Sequence, residues 1–224
     1  MFDKIIFALP KGRLAEQIMP VLERVGITPE PAFFTNSDRR LVFDSNIAGL
    51  KIVPVKPFDV ATYVAHGAAD MGIVGADVML EFNYDSLYAP VDLGLGPCRL
   101  CLAAPKASDF VLNPKSGHLK IATKYPNFTS RYYAHKGIQC NCIKLNGSIE
   151  LAPLLGISGC IVDLVSTGET LNANDLVIHE TLAHITSRFV VGRAAFKARP
   201  RILGKWVDKF REVVVSMRDS QRVR

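Results

Sequence analysis

The stretch Ile161-Val-Asp-Leu-Val-Ser-Thr-Gly-Glu-Thr-Leu171 decides how the rest of the chain is read. Ile161 to Val165 is a short run rich in β-branched residues, which reads as a buried parallel strand. Ser166, Thr167 and Gly168 are small, so they let backbone N–H groups approach an anion. Glu169, Thr170 and Leu171 then read as the first turn of a helix. A strand, a hydroxyl-rich turn and a helix start together form a cradle for phosphate. The same residues also describe an ordinary strand-to-helix connection in which Ser or Thr merely caps the helix. The flanking sequence has to decide.

The pattern around this stretch is alternating. Lys4–Leu9 reads as a strand, Pro10-Lys11-Gly12-Arg13 as a basic turn, and Leu14–Val25 as a helix with apolar residues at Leu14, Ile18, Val21, Leu22 and Val25, ended by Gly26. Lys11 and Arg13 stand at a helix start, where an anion is favoured, and Gly12 allows close approach; two solvated loop charges are the plainer reading. Arg39–Phe43 opens a further strand, followed by Leu50–Val55, and Lys56-Pro57-Phe58-Asp59 begins a helix. Asp70 to Asp77 is a short strand bracketed by glycines, with Gly72 and its neighbours permitting a flat ring or sugar to come close; Asp77 reads equally as an N-cap. Arg99–Ala104, Leu119–Ala122 and Gln139–Leu145 are strands, Phe128–His135 is a helix, and Ser148 is placed as the N-cap of a helix near Glu150. Leu176–Leu182 and Ser187–Val191 return as strands. The last helix carries Ile202, Leu203, Trp206, Phe210, Val213, Val214 and Met217. This succession predicts an α/β protein with parallel-rich sheets. Two lobes are expected, joined by crossing strands near Asp92–Pro97 and Asn174–His179, with a ligand in the cleft.

Composition narrows the function. The chain has 224 residues, 49% hydrophobic and 21% charged, enough for a full core. No apolar run approaches the roughly 18 residues of a membrane span, and no signal peptide opens the chain, so a cytoplasmic protein without a membrane partner is expected. A net charge of +6 admits nucleic acid or anionic small molecules. The basic residues are scattered and aromatics do not interleave with them, which favours polyphosphate substrates over nucleic acid. Five cysteines without a secretory signal argue against a disulfide framework. Cys98/Cys101 and Cys140/Cys142 sit in apolar strand-like sequence and read as structural thiols rather than a metal site. His66, His118, His135, His179 and His184 form no triad or metal signature.

Taken together, six segments resemble the short form of the ATP phosphoribosyltransferase family over nearly the full length. They are Ala8–Leu14, Asp59–Val64, Gly67–Asp77, Ile121–Asn127, Gly147–Pro153 and Val162–Leu171. The resemblance implies a pair of α/β lobes similar to a type II periplasmic binding protein, with the active site in the cleft. Lobe I would comprise 1–95 and 179–224, and lobe II would be 96–178 with the phosphate loop. It implies transfer of a 5-phosphoribosyl group from 5-phosphoribosyl 1-pyrophosphate (PRPP) to N1 of ATP, the first step of histidine biosynthesis. Magnesium would be held mainly through the substrate pyrophosphate.

Glu150, Asp163, Ser166, Thr167, Gly168, Glu169 and Thr170 are then expected to bind PRPP. Lys11, Gly12, Arg13, Asp70, Gly72 and Asp77 are expected to bind ATP, and Arg39, Lys56 and Lys124 to serve the transfer itself. The resemblance also implies a regulatory subunit similar to histidyl-tRNA synthetase, in a hetero-oligomer with a homodimer of catalytic chains, since no regulatory domain follows the last helix. Two departures stand out. Ser158-Gly159 replaces a usual Ala-Asp pair, and Lys56 replaces an arginine, keeping charge but not bidentate geometry. A two-lobed solute receptor without chemistry is the alternative, because fold alone does not settle function.

Overall fold

The computed structural model describes residues 4–34, 39–107 and 119–222. Along the chain, β1 (Ile5–Pro10) runs into α1 (Arg13–Val25), a 3-10 turn (Pro31–Phe34), β2 (Phe43–Asp44) and β3 (Leu50–Val55). A second 3-10 turn (Pro57–Asp59) leads into α2 (Val60–Ala65), β4 (Met71–Gly75), α3 (Ala76–Phe82) and β5 (Leu87–Asp92). Then come β6 (Cys98–Pro105), β7 (Leu119–Thr123), α4 (Pro126–His135), β8 (Cys140–Lys144), α5 (Leu151–Leu154), β9 (Cys160–Val165), α6 (Glu169–Ala173) and β10 (Leu176–Ile185). The chain closes with β11 (Ser187–Gly192), α7 (Arg193–Ala198) and α8 (Pro200–Arg222). It divides into two compact units: residues 1–79, 83–96 and 186–224 form one, residues 80–82 and 97–185 the other.

The first unit is built on a sheet of order β2-β3-β1-β4-β11-β5. β1 runs parallel to both β3 and β4, whereas β11 is antiparallel to β4 and β5. α1 lays Ile18, Val21, Leu22 and Val25 into the core, four of the five positions that its spacing predicts. Gly26, at φ 84°, closes it in the left-handed conformation. α8 buries Leu203, Trp206, Val207, Phe210 and Val214, while Ile202 stays 37% exposed. Phe210 stacks on Phe189 of β11 at 4.2 Å, and both meet the edge of Phe7 at 6.1 Å. Offset and edge contacts of this kind add about 0.5–1.5 kcal/mol per pair beyond area burial, so first strand, last strand and last helix share one aromatic knot.

The second unit has a sheet of order β10-β6-β9-β7-β8. β7, β8 and β9 are mutually parallel through β7, and β6 and β10 close the other side antiparallel. Ile161, Val165, Leu171 and Leu176 share a buried cluster with Ala103, Ala122 and Ile149. The continuous apolar reading of Ile161–Val165 thus corresponds to a strand paired on both sides.

Three expectations need correction. Arg39–Leu41 belong to no strand; only Phe43 and Asp44 pair with β3, and Leu41 is 71% exposed. Residues 179–185, assigned above to lobe I, belong to the second unit, because β10 continues to Ile185 opposite Cys98. The chain therefore returns to the first unit at 185/186, not near Asn174–His179, where Asp175 (φ 52°) simply turns α6 into β10. Ser148 is not the cap of α5 but a left-handed residue (φ 49°) two positions before the N-cap residue Glu150. His118 lies outside the described residues.

Candidate active site

In each sheet the parallel strands end at one edge, and the loops that follow collect there. In the first unit Pro10 pairs with Val55, so Lys11 and Lys56 leave the sheet side by side, and the Lys11 N–H donates to the Val55 carbonyl at 2.9 Å. Gly12, at φ 82°, then opens α1. β4 ends on the same edge with Gly75, and Asp77 follows in the first turn of α3. A Cβ on Gly75 would stand 2.1 Å from Asp77 Oδ1. Gly75 is therefore what permits the buried Asp77 carboxylate to fold back against the strand end. The backbone of Arg13 begins α1; its side chain lies outside the described atoms.

A cavity of about 390 Å³ opens beside Lys11 and Gly12, walled by Phe33, Phe34, Arg40 and Phe43. Phe33 meets Phe34 and Phe43 edge-on at 5.2 and 5.6 Å. The Arg40 guanidinium lies 5.3 Å from the Phe43 ring centroid and 3.2 Å from Glu30. Aromatic walls with cations at the mouth suit a planar base that carries phosphates. The wall was not anticipated, because a four-residue 3-10 turn has no periodicity to betray it. Arg40 rather than the exposed Arg39 lines the cavity.

In the second unit Thr123 is fully buried at the end of β7. Its hydroxyl donates to the Val162 carbonyl at 2.6 Å and accepts the Tyr125 N–H at 3.0 Å, so the half-buried Lys124 sits on a turn pinned to β9. The Leu145 N–H donates to the Thr123 carbonyl at 3.0 Å, which ties in the loop leading to the half-buried Glu150. Beyond β9, Ser166, Thr167, Glu169 and Thr170 are exposed between two buried anchors, Val165 and Leu171. Gly168, at φ 86°, turns the chain into α6, and the Glu169 N–H reaches Thr167 Oγ1 at 3.4 Å. α6 has five residues, so donors and hydroxyls, not a helix dipole, carry any affinity for anions. Asp163 stands inside β9 rather than at its end: it pairs with Cys101, and the strand runs on to Val165.

Two residues expected at the ATP site serve the scaffold instead. Asp70 precedes β4, at the amino edge, opposite the loops. It is 7% exposed, accepts the Ile6 N–H at 2.8 Å and is ion-paired with Arg199. Gly72 lies within β4, where a Cβ would come 2.8 Å from Val60 Cγ1 and 3.2 Å from the Ala8 carbonyl. Its role is to let α2 sit close on the sheet. The Ser158-Gly159 departure is likewise at the amino edge: Ser158 is buried and donates to the Cys160 carbonyl at 2.9 Å, remote along β9 from Ser166. Burial pushes the Cys142 and Cys160 thiols up to about 12, so neither is a nucleophile near neutral pH.

These features define an α/β protein that gathers basic and hydroxyl-rich turns at the carboxyl edges of parallel strands, the usual place for ligands in such sheets. The family model for ATP phosphoribosyltransferase matches residues 56–212. The ATP phosphoribosyltransferase of Rhizorhabdus wittichii is 49% identical, over 96% of this chain and 97% of its own. That of Paramagnetospirillum magneticum is 50% identical over 94% and 96%. A chain in the ATP phosphoribosyl transferase (HisG:HisZ) complex from Thermotoga maritima superposes with a TM-score of 0.79 at 36% identity, covering 94% of this chain and 97% of that one. The chain belongs to the ATP phosphoribosyltransferase family. It is a pentosyltransferase of histidine biosynthesis, and the receptor alternative finds no support among these relatives. No described helix is long and apolar enough to cross a membrane.

Proposed function

We propose that the two carboxyl edges divide the substrates of the family reaction. The loop Ser166–Thr170 takes the ribose 5-phosphate of PRPP through backbone N–H groups and hydroxyls, with Asp163 and Glu150 offered to the ribose hydroxyls. The cavity beside Lys11 and Gly12 takes ATP, its aromatic wall against the base and its cations toward the triphosphate. Asp77 borders this edge. Lys56 is offered to phosphate charge at the edge of the first unit and Lys124 to the departing pyrophosphate at the edge of the second, and Arg40 joins Arg39 as a candidate on the ATP side. The observation that carries this reading is the anchored, solvent-facing hydroxyl turn after β9.

Transfer at the anomeric carbon needs no protein nucleophile. It needs N1 of adenine in line behind C1, and positive charge where the leaving pyrophosphate accumulates negative charge. Among the described residues no group of three or more His, Cys, Asp or Glu is placed to hold a metal. The donor chemistry fits a magnesium ion that is held chiefly by substrate phosphates and water, with Asp163 of β9 or Glu150 at the start of α5 as the nearby carboxylates. Bound that way, it would neutralise pyrophosphate charge; the protein's own groups still have to orient both substrates.

The structural relative from Thermotoga maritima is in complex with HisZ. We extend that pairing to this chain, with a regulatory subunit similar to histidyl-tRNA synthetase bound to a homodimer of catalytic chains. ATP, PRPP and magnesium are expected to release pyrophosphate, and more of it with the regulatory subunit added. Folded protein that releases none under either condition would refute the reading. Thr167→Ala removes a hydroxyl from the turn, and Gly168→Val forces a β-branched residue into φ 86°. Both are expected to weaken PRPP binding at least tenfold with ATP binding little changed, as titration calorimetry would register. Unaltered PRPP affinity in both removes the loop from the site.

A further inference from the structure

Helix α4 reaches its N-terminus without a cap of its own. Tyr125 occupies the N-cap position and makes no side-chain cap bond, and Pro126 brings no N–H. The Thr129 N–H already bonds the Tyr125 carbonyl at 3.0 Å. Asn127 and Phe128 therefore carry the orphan donors of the first turn. A carboxylate from α3 takes both: the Asn127 N–H donates to Glu81 Oε1 at 3.1 Å and the Phe128 N–H to Oε2 at 2.9 Å. Glu81 is 3% exposed, and one turn along α4 the Arg131 guanidinium donates to the neighbouring Leu80 carbonyl. Residues 80–82 group with the second unit, so all of these bonds are internal to it.

The turn before α4 is thus fastened at both ends. Thr123 holds its strand side, through Val162 and Tyr125, and Glu81 holds its helix side. Lys124 is the cation that lies between the two fastenings. We propose that Glu81 is a positioning residue for phosphoribosyl transfer: by fixing the first turn of α4 it sets where Lys124 stands relative to the pyrophosphate of PRPP. This rests on the role assigned to Lys124 above. The same carboxylate fills the donors an anion would otherwise find at this helix start, which leaves the Ser166–Gly168 turn as the phosphate receptor of that edge. A buried carboxylate with a purely stabilising task would act on the amount of folded enzyme and leave both KM values alone. A positioning carboxylate acts through Lys124 and on one substrate.

The test measures steady-state kinetics of the full chain, with and without its regulatory subunit, for Glu81→Gln, Thr123→Val, Lys124→Met and the double variant E81Q/K124M. Gln keeps the shape but sets an NH2 against one of the two amide donors. For E81Q, kcat/KM for PRPP is expected to fall about 10- to 100-fold, the scale of a small misplacement of a reacting group, while KM for ATP moves less than about twofold. On the K124M background the same change is expected to cost less than about twofold more, because residues that act through one another are not additive. Thr123→Val is expected to reproduce the PRPP-selective loss from the strand side, and it decides the question should E81Q fail to fold. A full, additive loss in the double variant, or a drop in active fraction with both KM values unchanged, overturns the positioning role while Lys124 stands. Wild-type kinetics in K124M overturns the Lys124 assignment and the inference with it.

Discussion

Arg199 closes a contact that begins at the other end of the chain. Its guanidinium is paired with Asp70 and donates to the Lys4 carbonyl at 2.9 Å, while Asp70 also accepts the Ile6 N–H. Arg199→Met would leave a carboxylate whose side chain is only 10% exposed with one donor. Breaking a buried pair from one side costs about 3–5 kcal/mol, less where a partner is part-exposed as Arg199 is, so a loss of about 2–3 kcal/mol is expected. Urea unfolding should show it as a lower midpoint at unchanged slope, with substrate KM values unaffected because this edge carries no substrate loop. An unshifted midpoint would show the pair to be idle. The sequence around Asp70 and Gly72 suggested a ligand wall because glycine and carboxylate together have that meaning in a loop. Their actual partners, Arg199, Val60 and Val64, are set by strand polarity and helix approach, which adjacency along the chain does not encode. The placement of Lys11, Gly12 and Ser166–Gly168 on turns after strands was legible for the opposite reason: a strand end, a turn and a helix start are all local.

At the scale of elements, α4 is tied to β10 by one carboxylate. Glu180 accepts the Tyr132 hydroxyl at 2.6 Å and the Tyr133 hydroxyl at 3.3 Å, and is ion-paired with Lys136. Burial alone would raise the Glu180 carboxyl, but the bonds from Lys136 and Tyr132 outweigh it and hold it below its ordinary value. Lys136 is raised, chiefly by its bond to Glu180, and burial pushes Tyr133 far up. A lowered carboxyl stabilises the fold above its unfolded-state value, and that stabilisation fades as pH falls through the folded-state value. The raised Lys136 and Tyr133 stabilise below their unfolded values and lose this as pH rises past about 10. Glu180→Gln is therefore expected to be less stable than the parent through the neutral range, with the gap narrowing below about pH 4. Thermal melts across pH would check it, and a gap independent of pH would exclude the charge as its origin. The helices α1 and α8 were readable from 3.6-residue spacing. The short β2 and the aromatic 3-10 turn were not, since neither is long enough to repeat a period.

For the molecule as a whole, the alternation of strands and helices was sufficient to predict an α/β protein, and six separated motifs to place its family. The limits of the units were harder to read. Nothing in the composition of residues 179–185 separates them from β11, and only pairing with β6 assigns them to the second unit. Ser158 could be weighed only once β9 had a direction, which moved an apparently missing charge away from the phosphate turn. The expected gain in turnover with a HisZ-type subunit also belongs to this scale, since it concerns the assembly and not any one loop.

The place of β11 has a consequence for the order in which the protein acquires its shape. In the first sheet β11 lies between β4 and β5, and Phe210 of α8 completes the aromatic knot with Phe7. The first unit thus draws strands from both ends of the chain, whereas the second sheet is made wholly from residues 98–185. During synthesis β1, β3 and β4 emerge early yet lack the strand that covers the β4 edge until most of the chain exists, while the second sheet closes from shorter loops. Pulse-labelled hydrogen exchange during refolding is expected to protect amides of β6, β7 and β9 before those of β4 and β11, and the reverse order would refute this. The half of the enzyme that is translated first would then be the half that is finished last, with an open strand edge in need of a chaperone meanwhile.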